Sequence, residues 1–129
     1  MTTIPLPWLK PPLSQNDRKE RNRGGSQRIK VALKQARLAV REAKVEPIVG
    51  AVVTLHYRVP DRRRRDADNL APTLKVCQDA LVAEGVIPRD DWVCVPASGQ
   101  QIHPPTDEPA AMWLELSDIT TFRPSEDHS

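Results

Sequence analysis

Residues 48–85 read IVGAVVTLHYRVPDRRRRDADNLAPTLKVCQDALVAEG. The first part, 48–59, is rich in β-branched side chains and predicts a strong strand, central in a sheet or covered on one face. Leu70, Leu74, Cys77 and Leu81 then recur at helical spacing and predict a helix from Asn69 or Pro72 to Glu84. Pro72 belongs in its first turn, where the missing N–H is no loss, and Gly85 suits its C-terminal cap. Between strand and helix, Arg62, Arg63, Arg64 and Arg65 run directly into Asp66, Asp68 and Asn69. A second acidic pair, Asp90 and Asp91, follows the helix.

Working outward, residues 2–9 predict a short edge strand, because prolines fit a sheet only at its edge. Residues 11–26 are a polar, basic loop, and Ser26 is a candidate N-cap for a helix over 27–44. In that helix Ile29, Leu33, Ala36, Val40 and Ala43 make the apolar stripe, while Lys30, Lys34, Arg37 and Arg41 fall mostly on other faces. Downstream, residues 92–96 and 111–118 predict two more strands, and 119–129 a polar, frayed tail. The order β-α-β-α-β-β predicts one α+β domain over 1–118, a small mixed sheet with two main helices on one face.

Composition bounds the function. A chain of 129 residues, 39% hydrophobic and poor in aromatics, makes one aliphatic core. Two cysteines without a CxxC argue against a disulfide framework or a zinc finger and fit a reducing, cytoplasmic compartment. No apolar run has membrane-spanning length, and the start lacks the order of a signal peptide, so no membrane partner is expected. Residues 1–65 hold 16 Lys and Arg against 5 Asp and Glu, whereas residues 66–129 hold 3 against 12. That split suggests a surface for nucleic acid, or two halves that neutralise each other on folding.

Asp66 and Asp68, two apart, can point to one side of an extended segment. The helix that separates them from Asp90 and Asp91 is roughly 20 Å long at about 1.5 Å per residue. The two acidic pairs therefore meet only if the chain after Gly85 folds back along the helix, or across a dimer. Clustered carboxylates repel and normally persist because a cation compensates them. Asp oxygens suit Mg²⁺ or Mn²⁺. Lys75 either holds a phosphate or makes a surface pair with Asp79, four residues on. His56 reads as a structural strand residue, His103 lies in a proline-rich loop, Cys77 is a core residue, and the three tryptophans read as core or sheet-packing residues, with Trp92 adjoining the acidic pair.

The segment RRRRDADNLAPTLKVCQDALVAEGVIPRDDW, residues 62–92, resembles the signature of the RusA-type Holliday junction resolvases, commonly phage- or prophage-borne endodeoxyribonucleases. PPLSQNDR near the start is similar to that family's opening segment, and the resemblance spans about residues 4–118. It implies that Asp66 and Asp68 are metal-binding carboxylates, that Lys75 is the family lysine, and that Asp90 or Asp91 is the third carboxylate. The second residue of the pair, Asp91, is the slightly preferred match. The resemblance also implies a homodimer that uses Mg²⁺ or Mn²⁺ to nick opposed strands of a four-way junction. Arg62–Arg65, Lys30 and Lys34 are the candidate DNA contacts, and the dimer is expected to form through aliphatic strand surface. Two departures stand out: an apparent APT insertion before Lys75, and one extra residue in the turn after Gly85. The rival readings are a non-catalytic DNA-binding module and a structural protein whose charged halves pair between subunits.

Overall fold

The computed structural model describes residues 1–13 and 26–119. Its elements are β1 (Thr2–Pro5), α1 (Ser26–Ala43), β2 (Ala51–Arg58), a 3₁₀ turn (Ala67–Leu70) leading into α2 (Ala71–Ala83), β3 (Ser98–His103) and β4 (Ala111–Asp118). The strands form one mixed sheet in the order β1-β4-β2-β3. Together with the two helices they make a small single-domain α+β fold, as the element order predicts.

β2 is central, antiparallel to β4 and parallel to β3. Parallel neighbours need a crossover, and the 3₁₀ turn with α2 provides it. Alternation along β2 turns Ala51, Val53, Leu55 and Tyr57 inward. They meet Ile4, Met112, Leu114 and Leu116 from the strands and Leu74, Cys77 and Leu81 from α2 in one core. Burial pushes the Cys77 thiol up to about 12, so it is a packing residue and not a nucleophile. Both cysteines are free. No helix among the described residues is long and apolar enough to cross a membrane.

Four expectations need correction. Residues 92–96 form no strand, because Asp91 turns the chain there: its carboxylate accepts from the Val93 and Cys94 N–H groups, at 3.2 and 3.1 Å. The third strand is instead 98–103, a polar edge segment whose partnership with β2 its own composition does not signal. That puts His103 at a strand end and not in a loop. The first strand stops at Pro5 rather than continuing to residue 9. In α1 the buried face is Ala32, Ala36 and Val40, while Ile29 is half exposed; small side chains let the helix approach closely. Most of the strands' aliphatic residues lie in the core, and among the described residues none of the exposed large apolar side chains lies on a strand. Ile29, Val31 and Leu38 on α1 are exposed instead.

On the other face of the sheet, His56 lies between His103 (2.7 Å) and Glu115 (2.6 Å) and stacks with Trp113. Arg58 sits over the same indole and also donates to the Pro109 carbonyl, which fixes the proline-rich connection. These contacts tie His56 to both neighbouring strands. The proposed tail, beyond Ile119, and most of the basic loop, 14–25, lie outside the described residues.

Candidate metal and nucleic-acid site

The site is built where β2 hands the chain to α2. Asp66 caps the 3₁₀ turn with extended backbone, and its carbonyl accepts from the Asn69 N–H at 3.1 Å. Asp68 lies inside that turn. Both carboxylates are exposed, and no described residue hydrogen-bonds to either. Asp66 lines a hollow of about 270 Å³ with Lys10, Tyr57, Arg63, Arg65 and Asn69. Asp68 lies outside its lining.

Lys10 reaches the hollow because the N-terminal segment is clasped to α2. The buried Thr73 hydroxyl donates to the Leu13 carbonyl at 2.6 Å and accepts from the Leu13 N–H at 3.3 Å. Thr73 belongs to the APT segment at the start of α2, and this contact gives that segment a structural role.

The arginine run divides by function. Arg65 is half-buried; it pairs with the Asp61 carboxylate at 2.9 Å and donates to the carbonyls of Asp61 and Arg63, bracing the loop. Arg63 shares Asp61 at 3.4 Å. Arg62 and Arg64 are exposed with no partner among the described residues, and are the ones available to a polyanion.

The chain after Gly85 does fold back along α2. Gly85 takes φ of 77°, a conformation that favours glycine, and Val86 and Ile87 bury themselves against the helix end. Asp90 arrives against the helix: its carboxylate accepts from Lys75 Nζ at 2.5 Å and from Gln78 at 2.7 Å. Lys75 also contacts Asp79 at 3.2 Å, the i, i+4 surface pair that its spacing allows. Asp90, foremost, holds the Lys75 pKa above its ordinary value, which keeps it a cation and not a base. Asp91 is committed elsewhere. Arg89, first of all, and then the Cys94 and Val93 N–H groups hold its carboxyl below the usual range.

Lys75 stands seven residues past Asp68, about 10 Å along a helix axis. The fold-back thus narrows the gap between the acidic pairs without closing it: among the described residues no three His, Cys, Asp or Glu converge on one metal position. Lys30 and Lys34 are exposed on α1, beside Arg37 and Arg41, which are taken up by Glu84 at the end of α2. A larger groove of about 610 Å³ between the β1 end and α1 offers Gln35 and Glu42 as its only polar side chains and no cluster of charges. Sequence reading overlooked Gln78, three residues from Lys75 on the same helix face, as well as Lys10.

The fold and site define a small α+β domain with an arginine-rich loop running into exposed aspartates. No protein-family model matches the chain, and no curated protein matches it.

Proposed function

We propose that this protein is a metal-dependent, structure-selective endodeoxyribonuclease that resolves four-way DNA junctions as a homodimer, by paired symmetric nicks. The observation that carries this reading is the return of the chain along α2, which sets Asp90 on Lys75 at the helix headed by Asp66 and Asp68. That return is the necessary condition for the acidic pairs to meet within one subunit, and among the described residues it does not yet join them at one metal position.

The residues fit a hard divalent cation. Mg²⁺ usually takes one or two carboxylates, several waters and a substrate phosphate, so this reading assigns it to Asp66 and Asp68, free of described partners, without a full protein cage. Bound there, the ion supplies an activated water and charge stabilisation for phosphodiester hydrolysis. The chain's own groups position the polyanion. Arg62 and Arg64 meet backbone phosphates, and Lys75, as a cation, exchanges Asp90 for a phosphate oxygen. Asp90 is the third carboxylate in this reading, because Asp91 holds the following turn. Cleavage of a labelled four-way junction beside a linear duplex, with and without Mg²⁺, tests the proposal. Junction cutting that needs the metal supports it; binding without cutting at any Mg²⁺ or Mn²⁺ concentration overturns it.

One observation favours a second reading, a DNA-binding module without catalysis: both Asp90 oxygens are already satisfied by Lys75 and Gln78. The same metal titration separates the two.

A further inference from the structure

Trp92 leaves 81% of its surface in water, against the expectation that it packs inside. Trp8 is buried at 7% and bonded to Gln35, and Trp113 is stacked on the sheet. An indole in water forgoes the largest apolar burial a side chain offers. The backbone that displays it is firmly built. The Asp91 carbonyl accepts from Cys94 and Val95 at 3.1 and 2.7 Å, in addition to the two bonds to its carboxylate. Buried Cys94 anchors the far side, its carbonyl accepting from the Ala51 N–H at 2.8 Å at the start of β2. At Gly50 any Cβ would overlap that same carbonyl, so the turn is pressed onto the sheet where only glycine fits. Trp92 is therefore presented in a fixed place, two residues from the carboxylate that holds Lys75. Arg89 and Lys75, each more than half exposed, lie along this edge in ion pairs with Asp91 and with Asp90 and Asp79.

We infer that Trp92 stacks on the face of a nucleobase at a DNA branch point, an inference that rests on the function proposed above. An exposed indole on a firmly held turn, near cations whose carboxylate partners a phosphate can replace, matches a ligand that has both a π face and phosphates. In a linear duplex the faces of each base pair are covered, and stacking there first requires unstacking. At a branch the stack is already interrupted, so the indole adds affinity for the junction alone. Trp92 thereby contributes to structure selectivity, while the arginines contribute affinity for any DNA.

The test measures binding by full-length protein without divalent metal. The probes are a synthetic four-way junction carrying 2-aminopurine at the branch and a linear duplex of the same arm sequence. Trp92→Ala is expected to lose about 5- to 150-fold in junction affinity, the range for removing one stacked aromatic. Duplex affinity and thermal stability stay unchanged, and Trp92→Phe recovers most of the loss. Wild-type protein changes the 2-aminopurine emission, and Trp92→Ala does not. Equal losses on junction and duplex, or no loss on either, would overturn the inference while leaving the proposed function standing. A variant that keeps junction binding but loses its dimer mass in light scattering assigns the indole to a protein contact instead. Wild-type protein that binds neither probe overturns the function, and this inference with it.

Discussion

Asp90 and Asp91 are neighbours of the same chemistry held to different tasks. Asp90 faces Lys75 and Gln78, whereas Asp91 ties down the turn that follows. The sequence match slightly preferred Asp91 as the third carboxylate, whereas the proposed function assigns that role to Asp90. Asp90→Asn is accordingly expected to remove junction cleavage with little change in the urea midpoint. Asp91→Asn should lower the midpoint and reduce cleavage only in proportion to the folded fraction. The reverse pattern in paired cleavage and denaturation assays would return the role to Asp91. Asp66→Asn and Asp68→Asn should each abolish cleavage while junction binding survives, since the arginine contacts to phosphate remain. Near-normal cutting by either variant at saturating Mg²⁺ would remove that aspartate from the site.

At the scale of elements, two clasps hold the site's surroundings. One is Thr73, whose hydroxyl satisfies both backbone groups of Leu13. Thr73→Val keeps the shape and leaves those groups unpaired, and should cost about 1–3 kcal/mol in urea denaturation. The other is Glu84, which joins α2 to α1; Arg41 and then Arg37 lower its pKa from 4.5 to about 2. The unfolded chain takes up this proton near pH 4.5 and the folded chain only near 2. Stability from the clasp is therefore complete above the upper value and is lost as pH falls through the lower one. Glu84→Gln should flatten the acid limb of the stability curve in that window, and an unchanged limb would show that the clasp does not persist in solution. For the loop, replacing Arg62 and Arg64 by Ala should reduce the log–log salt slope of DNA binding by roughly 0.9 per lost contact. Replacing Arg65 should instead perturb the loop, since its guanidinium is bound to Asp61.

At the scale of the whole molecule, the proposed function gives one chain one aspartate site, and paired nicking needs two. A two-fold dimer presents them with the symmetry of the junction's opposed strands. The aliphatic strand surface expected to join the subunits is inside the core; the exposed Ile29, Val31 and Leu38 of α1 are the apolar alternative. Mixing wild-type with Asp68→Asn chains is expected to give heterodimers that nick one strand only. A light-scattering mass near 14.5 kDa at micromolar concentration, with undiminished paired cutting, would exclude the dimer.

The sequence by itself determined the local elements with strong periodicity. β2, α2 and β4 were legible because each carries its own burial pattern, and Pro72 and Gly85 mark the ends of α2 with chemistry that acts within a few residues. The DADN segment and the arginine run were legible as local concentrations of charge. Tertiary structure alone decided β3, whose polar residues become a strand only because β2 offers a parallel edge. It also decided which acidic residue meets Lys75, which arginine is consumed by Asp61, and which tryptophan faces water. Each of these depends on partners distant in sequence or on the path of a turn. Spacing along the chain carries no information about either until the chain has closed on itself.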